Sequence, residues 1–371
     1  MLTDLLGIRL ILLLGDVVPL PASLAVMDAL DTVQVTTGGD GDGFQITFKL
    51  TRTPLLDFDL FQSGAVAPMK RVVIGVAFGI VPEVLIDGVI THHQIQPSNE
   101  PGLATLTVSG RDLKTVLDLE EKNAQYPNQP DFIIFSQVIA GYGQYGLIPV
   151  PTPTVDIPIE LERVPRQQET DLAFVQRLAQ RNGFVFYIEP VTLGVNTAYF
   201  GPENRLSLPQ PALTLDMGAA TNLKSLSFQY DALAPVGTTG TFVEPFFKTA
   251  LPIPQLPTLK VPPLALKPAP VYRTTITRET ANQNPVKAGV TALAQSMNTP
   301  DAVTACGELD ATRYGHVLRA RKLVGVRGAG LSYDGLYYVK GVSHSMSRGT
   351  YSQSFTLSRE GTGPTLPVVM F

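Results

Sequence analysis

Segments in which apolar and polar residues alternate occupy much of this chain. A period of two places successive side chains on opposite faces, which is typical of half-buried β-strands. Clear early segments are Thr32–Thr36, Phe44–Phe48, Arg71–Val76, Val84–Ile90 and Ala104–Ser109. Asp40–Gly43 and Asp87-Gly88 have the Asp-Gly pairs of hairpin turns, and the terminal Glu of a calcium-binding EF-hand loop is missing. Antiparallel strands without a long helix among them predict a small barrel or sandwich.

The first apolar run, Ile8–Leu14, contains Arg9 and is followed by Gly15-Asp16. It is far shorter than the roughly 20 residues that a membrane-spanning helix needs. No positive charge precedes it, as a secretory signal would require. We therefore expect a first β-strand here, and neither a signal peptide nor a transmembrane helix.

A helical period replaces the alternation after Thr170, which is placed to be the N-cap, with Asp171 in the first turn. The helix is expected to run to about Arg181 and to end in a left-handed cap at Asn182-Gly183. Its apolar residues recur three or four apart and so share one face. They are Leu172, Val175, Leu178 and Ala179.

A hairpin is predicted directly after this helix. Phe184–Ile188 is rich in aromatic and branched residues and reads as a strand, which Glu189-Pro190 is expected to close. Tyr199–Gly201 is its expected partner. Helix, stop signal and hairpin thus lie within very few residues.

The region before this helix is expected to be mixed. Arg111–Leu117 has the pattern of a short helix or turn, and Asn123–Pro130 that of a polar linker. Asp131 is expected to cap a helix that ends near Tyr142. Proline removes a backbone donor and disfavours helix, so Ile148–Pro165 is expected to be extended.

Strand alternation resumes at Leu213 and is clearest in Leu223–Tyr230 and from Ala302 to Glu360. Between these strands, residues 250–271 combine many prolines with Leu, Ile and Val, which favours polyproline II and excludes a central strand. This segment is either a stiff linker or an arm that lies on a neighbouring subunit. A helix is expected from about Pro285 to Met297.

Composition indicates a chain that hides surface against other subunits. Its 371 residues predict two or three domains, and 44% hydrophobic against 16% charged residues is drier than usual. A formal net charge of −4 excludes the basic footprint of a nucleic-acid-binding protein. Cys306 is the single cysteine, which excludes an internal disulfide and is compatible with a reducing compartment.

The sequence offers no established catalytic, cofactor or metal motif. Gly328–Gly330 lacks the helix and third glycine of a dinucleotide loop, so a turn is expected. The carboxylate pairs Glu120-Glu121 and Glu160/Glu162 are expected to be solvated rather than to form a glycosidase pair. We therefore predict no catalytic residue, no cofactor-binding residue and no metal ligand.

The four histidines are expected to be satisfied surface residues rather than zinc ligands. His92 and His93 are adjacent, so on a strand they face opposite sides, and His316 and His344 are isolated in the sequence.

Five basic residues lie close together near the end of the chain, and such a run is usually a solvated strand face. A second interpretation is a lumen-facing surface that meets an acidic partner, because the run lies within an acidic chain. The run consists of Arg313, Arg319, Arg321, Lys322 and Arg327.

Two stretches of the chain carry a family resemblance. The first comprises Gln168–Ala179 and Asn182–Tyr187. The second comprises Asp334–Val339, Val342–His344 and Gly349–Leu357. Both resemble baseplate hub proteins, namely the phage late control D family, the hub half of type VI VgrG spike proteins, and hubs of extracellular contractile injection systems.

The resemblance implies an α+β fold that is mainly β, with two tube-like antiparallel β-barrels per chain, an α/β insertion domain and a trimeric pseudo-sixfold ring. Residues 1–112 would form the first barrel. Residues 113–205, joined by 240–300, would form the insertion, and residues 206–239 and 301–371 the second barrel.

The implied function is that of a structural hub, not an enzyme, that adapts a six-fold inner tube to a three-fold spike. Its expected partners are two further copies in a homotrimer, a trimeric spike, an inner tube or tube-initiator protein, a tape measure and baseplate wedge proteins. The chain ends soon after the second barrel, so the spike is expected to be a separate polypeptide.

No nucleic acid, no stable membrane insertion and no cofactor are expected. The hub would be assembled in the bacterial cytoplasm and belong to a phage tail or an extracellular injection particle. The alternatives are a hub-associated murein hydrolase and a host-surface binding tail protein. The absence of Trp makes an aromatic binding platform less favoured.

Overall fold

The computed structural model describes residues 7–39, 41–51, 58–79, 81–100, 102–156, 158, 160, 164–243, 250–256, 260–277, 296–297 and 299–365. The first β-rich part contains β1 (Ile8–Gly15), β2 (Leu20–Pro21), α1 (Leu24–Ala29), β3 (Leu30–Gly38), β4 (Gly43–Lys49), α2 (Asp59–Gln62), β5 (Arg71–Phe78), β6 (Val81–Gln96) and β7 (Thr105–Asp112).

An α/β part follows. It contains a 3-10 helix (Leu113–Asp118), β8 (Glu121–Gln125), α3 (Asp131–Ala140), a second 3-10 helix (Gly143–Tyr145), β9 (Leu147–Pro151), β10 (Arg166–Thr170), α4 (Asp171–Asn182), β11 (Val185–Thr192) and β12 (Val195–Gly201).

The remainder is again rich in strands. It contains β13 (Gln210–Thr214), a 3-10 helix (Gly218–Ala220), β14 (Leu223–Tyr230), β15 (Val236–Val243), β16 (Ala250–Leu256), β17 (Ala265–Pro268), β18 (Arg273–Thr277), β19 (Val303–Asp310), α5 (Ala311–Tyr314), β20 (Leu323–Arg327), β21 (Gly335–Ser347), β22 (Thr350–Arg359) and β23 (Gly361–Pro364).

The first and last β-rich parts form one 13-stranded sheet in the order β14-β19-β22-β21-β3-β4-β7-β6-β5-β1-β2, with β20 and β13 attached beside β21. They meet where β3 pairs antiparallel with β21, from Gly38 opposite Gly341 to Thr32 opposite Ser347. Within the described residues the ladder ends at β2 and β14 and does not close. Closed barrels are therefore not observed, because the two parts share hydrogen bonds instead of each closing on itself.

Strand order is symmetrical about the β3·β21 pair. Outward on one side lie β4, β7 and β6, and on the other β22, β19 and β14, with antiparallel pairing throughout. Each side begins with a hairpin, β3–β4 or β21–β22. On one side the hairpin β3–β4 precedes β6 and β7 in the chain, whereas on the other side the hairpin β21–β22 follows β14 and β19.

The main apolar core lies under this sheet and joins both parts. Its fully buried members include Val33, Ile46 and Leu106 from the first part and Tyr337 and Leu357 from the last. The α/β part has its own core, in which Phe135 stacks on Phe200 and α4 contributes four buried apolar side chains. Those four are Phe174, Val175, Leu178 and Ala179.

The helix-hairpin prediction is confirmed. The Thr170 side chain accepts a hydrogen bond from the Ala173 amide, and Gly183 takes the left-handed C-cap conformation with φ of 68°. β11 pairs with β12. However, β11 continues through Glu189-Pro190 to Thr192 with a bulge, so the expected stop at Pro190 is wrong.

Several local predictions are wrong for identifiable reasons. Asp87-Gly88 is not a turn but lies inside β6, where the Asp87 carboxylate is buried and a Cβ at Gly88 would collide with the Arg111 carbonyl oxygen. Pro130, not Asp131, is the N-cap of α3. The first three residues of the expected polar linker, Asn123–Gln125, belong to β8, which pairs with β10.

The proline-rich segment forms strands only where proline is tolerated. β16 is an edge strand of the three-stranded sheet β16-β15-β18, and β17 pairs only with β23 among the described strands. The helix expected from Pro285 to Met297 lies almost entirely outside the described residues, as does Asp40 of the expected Asp-Gly turn. None of the helices described is long and apolar enough to cross a membrane.

Candidate functional site

A buried ion pair connects the first β-rich part to the α/β part. Arg71 on β5 donates through Nε and Nη2 to both carboxylate oxygens of Asp87 on β6, at 2.8 and 2.6 Å. The two side chains are only 2% and 1% exposed. Arg71 also donates to the Tyr145 carbonyl at 2.8 Å, and the Asn196 amide donates to Asp87 at 2.8 Å. The pair therefore holds the start of β12 and the 3-10 helix Gly143–Tyr145 against the large sheet.

A second buried network connects the α/β part, the proline-rich segment and the end of β22. Arg205 donates to Glu360 at 2.8 Å and to Asp301 at 3.4 Å, and Lys260 donates to the same Asp301 oxygen at 2.9 Å. Glu360 also accepts hydrogen bonds from the amides of Leu264 and Ala265. Burial alone would raise the pKa of Asp301, but Lys260 and Arg205 outweigh it and lower the pKa.

The basic run is not a solvated strand face. Arg319 donates to the Val84 carbonyl and to Glu83, both at 3.0 Å. Arg321 donates to both oxygens of Asp42 at 2.8 Å and lies over the Tyr187 ring.

Lys322 pairs with Glu189 at 3.4 Å. Three basic residues thus bind acidic residues from other parts of the chain, while Arg313 is exposed and Arg327 half-buried. The run joins parts of one chain, which neither interpretation of the sequence foresaw.

The histidines are not all at the surface. His344 is 2% exposed, and its Nδ1 lies 2.9 Å from the Tyr351 hydroxyl. Burial, together with the Arg319 guanidinium, lowers the pKa of His344 to about 3, so the ring is neutral at neutral pH. His92 and His316 are exposed as expected, and His93 is half-buried beside the Phe61 ring.

A cleft of about 570 Å³ separates the outer side of β3, β4 and β7 from α4. Its lining is polar and includes Gln34, Gln45, Arg111 and Gln176. Asp112 is one of the lining residues and pairs with Lys114 at 3.3 Å. Burial, opposed by Lys114, raises the pKa of Asp112 to about 6.

This cleft has no nucleophile paired with a base among its lining residues. In the part of the chain that the structure describes, no group of three or more His, Cys, Asp or Glu residues could hold a metal ion. Glu120, Glu121 and Glu160 are exposed, and Glu162 lies outside the described residues.

The segments that the second network joins carry exposed apolar side chains. Leu206 follows Arg205, Val261 follows Lys260, and Leu266 follows the Leu264 and Ala265 amides that bind Glu360. We call Leu206, Leu208, Val261 and Leu266 the apolar patch; they are 85%, 90%, 73% and 65% exposed.

Comparison with solved structures identifies the fold. A tail protein from Neisseria meningitidis MC58 matches with a TM-score of 0.63 and 14% identity, over 95% of this chain and 97% of that chain. The 43 kDa tail protein of prophage MuSo2 from Shewanella oneidensis matches with a TM-score of 0.60 and 15% identity, over 95% and 98%. This chain has the fold of phage tail proteins.

A type VI secretion component from E. coli, described as similar to the T4 tail proteins gp27 and gp5, shares this tail-protein fold. It matches with a TM-score of 0.54 and 15% identity, over 91% of this chain and 76% of that chain. No protein-family model and no curated protein sequence matches the chain. The resemblance noted in the sequence is thus confirmed at the level of fold.

Within this tail-protein fold, the described residues offer contact surfaces more clearly than a reaction centre. The sequence predicted the helix-hairpin but neither buried network, because their partners are up to 155 positions apart. The signal that could have pointed to them is the presence of single charged residues inside apolar strands, as at Asp87 in Val84–Ile90.

Replacing Asp87 with Asn tests the first network. The variant keeps the shape of the side chain but leaves Arg71 buried without a counter-ion. We expect the free energy of unfolding to fall by about 3–5 kcal/mol. Urea denaturation followed by circular dichroism measures it.

The matched control is Glu308→Gln, which breaks a pair with Lys224 in which both side chains are at least 41% exposed. This control should change the free energy of unfolding by less than about 1 kcal/mol. A loss for Asp87→Asn as small as that of the control would show that the buried pair does not hold the two parts together.

Lowering the pH tests the burial of neutral His344. The unfolded chain protonates histidine near its ordinary pKa of about 6.5, whereas the folded chain does so only near 3. As the pH falls through this window the unfolded state binds the extra proton, so His344 lowers the free energy of unfolding by up to about 1.4 kcal/mol per pH unit. Asp112 acts oppositely, since its folded pKa is raised.

Comparing the wild type with His344→Gln isolates the histidine from Asp112 and the other carboxylates. The variant should be less stable at pH 7, because it loses packing and the contact with Tyr351. Its deficit should shrink as the pH is lowered to 4. Denaturation curves at pH 7, 6, 5 and 4 measure this, and a deficit that stays constant would contradict a buried neutral ring.

Proposed function

We propose that this chain is the structural hub of a baseplate, in a phage tail or a contractile injection system, and that it joins a six-fold inner tube to a three-fold spike. The observation that carries the proposal is the pair of β-blocks symmetrical about β3·β21, in a chain that has the tail-protein fold over nearly its full length.

Symmetry gives the physical reason for this role. Each block, β3-β4-β7-β6 or β21-β22-β19-β14, would form one tube-like wall segment. Three chains would then present six similar segments in a ring, which a six-fold tube can contact, while the true symmetry of the ring stays three-fold. The α/β part, held by the two buried networks, would keep a fixed orientation to these segments.

The apolar patch supports assembly from several copies. Leu206, Leu208, Val261 and Leu266 expose apolar surface that a single chain leaves in water. We assign this patch to the contact with a second copy of the chain. The proline-rich segment from which Val261 and Leu266 project would then be an arm on the neighbouring subunit rather than a free linker.

The proposed partners follow from this role. They are two further copies of the chain, a trimeric spike, and an inner tube or tube-initiator protein, with tape measure and wedge proteins around them. The hub would assemble in the bacterial cytoplasm and carry out no reaction. A hub-associated hydrolase has no observation among the described residues in its favour.

The mass in solution tests the assembly directly. We expect the purified chain to form a trimer in multi-angle light scattering at high protein concentration. Replacing Leu206 and Leu208 with Asp should shift the protein towards monomer by at least tenfold in dissociation constant, since each apolar side chain lost from an interface costs about 1.5–3 kcal/mol.

The control is Leu24→Asp, because Leu24 is also exposed, at 73%, and lies on α1 in the first β-rich part. It should leave the mass unchanged, and circular dichroism should show all variants folded. A monomeric wild type at high concentration would contradict the proposed function. A trimer that the double variant leaves intact would contradict the assignment of the patch.

A further inference from the structure

A recess of about 480 Å³ lies between α4 and the last β-rich part. It adjoins the cleft described above and shares Lys114 and Gln176 with it. Its volume falls within the range of about 300–1,000 Å³ that is typical of ligand sites, so it can hold part of a partner molecule. Its walls include Gln176, Ala179 and Gln180 of α4, residues 184–187 at the start of β11, and Gly39, Tyr338 and Lys340 beside the large sheet.

One wall of the recess is the outer edge of β11, which is the end strand of the sheet β11-β12-β9. On β12, the backbone groups of Asn196 and Phe200 bond towards the β9 side. Neighbouring residues of a strand point their backbone groups in opposite directions, so Tyr199 bonds towards β11, where it is paired with Tyr187. Phe186 therefore directs its N–H and C=O groups away from β12, at the edge that lines the recess.

This edge of β11 is open only at its beginning. Further along, at Ile188, it faces β6 across a cavity of about 30 Å³. In the described part of the chain, no strand pairs with the edge. A strand edge without a neighbour leaves backbone donors and acceptors that an added strand can satisfy. Phe186 thus offers one donor and one acceptor to a chain that enters the recess.

The helix wall adds side chains with the same hydrogen-bonding character. Gln176 and Gln180 lie one turn apart on α4 and are exposed. Neither amide has a hydrogen-bond partner among the residues that the structure describes. A primary amide carries both donors and an acceptor, as a peptide group does. The recess therefore matches a polypeptide backbone better than a nucleic acid, whose phosphate groups only accept hydrogen bonds.

Charge adds a preference for acidic side chains. The charged groups of the lining are three cations, Lys114, Arg321 and Lys340, and one carboxylate, Glu203. Lys114 and Arg321 are tied to carboxylates that are only 7% and 4% exposed. Lys340 is 38% exposed and pairs with Glu203 at 3.2 Å. Because exposed pairs contribute little, Lys340 can exchange Glu203 for a carboxylate of a ligand.

We infer that this recess binds an extended, acidic segment of a partner protein, which adds to the edge of β11 at Phe186. The inference goes beyond the proposed function and does not depend on it. Main-chain hydrogen bonds at Phe186 fix the direction and register of the segment. Gln176 and Gln180 bind its remaining peptide groups, and Lys340 selects its acidic side chain.

Peptides of defined charge test the chemistry of the recess. The probes are the dye-labelled hexapeptides TEVEVT, TQVQVT and TKVKVT, and fluorescence anisotropy with the full chain measures their dissociation constants. We expect TEVEVT to bind most tightly and TKVKVT most weakly, with at least about a tenfold difference between these two. Equal binding of all three peptides would overturn the inference, as would no binding of TEVEVT at about 1 mM.

Backbone methylation tests strand addition separately from charge. One copy of TEVEVT is N-methylated at both glutamates and another at both valines. Alternate N–H groups of a strand point to opposite sides, so at least one copy loses its bonds to Phe186 and should bind about tenfold more weakly. Hydrogen exchange should also slow at residues 184–188 when unmodified TEVEVT is added. Undiminished binding of both methylated copies would show that no strand is added.

Variants of the chain test the position of the site. Gln180→Trp fills the recess from an exposed helix position and should weaken TEVEVT binding at least about tenfold. The matched control is Gln168→Trp, at an exposed position on β10 outside the recess, which should leave binding unchanged. Circular dichroism checks that both variants are folded. Equal binding by Gln180→Trp and the control would overturn the inference.

A second pair of variants tests the role of Lys340. Lys340→Gln should reduce the preference for TEVEVT over TQVQVT, because the cation that selects the carboxylate is lost. Lys224→Gln is the control, since Lys224 is also an exposed lysine paired with a carboxylate, Glu308, at 3.0 Å. An unchanged preference in Lys340→Gln would contradict the assigned role. The mass of the assembly is measured independently, so each of these failures leaves the proposed function standing.

Discussion

Pairing between β3 and β21 is the constraint on which the rest of the structure depends. It joins residues that are distant in the chain, such as Thr36 and Ser343, which are 307 positions apart. Without it the two β-rich parts would each have an open edge, and exposed edges invite pairing with other chains. With it, they share one sheet and one main apolar core.

Buried charges fix the remaining parts to this sheet. The pair of Arg71 and Asp87 holds the α/β part from one side, and the network around Asp301 holds its other end together with the proline-rich segment. A buried ion pair adds little net stability compared with apolar packing, but it is costly to break and has one geometry. For a chain proposed to transmit symmetry between two neighbours, a defined orientation of its parts is the property required.

Local signals predicted much of the fold and little of the way its parts connect. Thr170 and Gly183 bound α4 as expected because capping depends on neighbouring residues alone. Asp87-Gly88 was misassigned to a turn because nothing in the dipeptide itself distinguishes a turn from a strand in which the aspartate pairs with a buried arginine. His344 and Arg321 were placed at the surface because their partners, Tyr351 and Asp42, are chosen by the fold rather than by sequence neighbours. The joint between β3 and β21 has no local signal.

The central claim is that two similar β-blocks per chain, tripled about an axis, present six segments to a tube. Electron microscopy of the purified assembly, averaged in end-on views without imposed symmetry, tests this most directly. The account predicts a ring with true three-fold symmetry and six lobes of similar size around an open centre. A ring with three lobes, or one in which alternate lobes differ grossly in size, would contradict it.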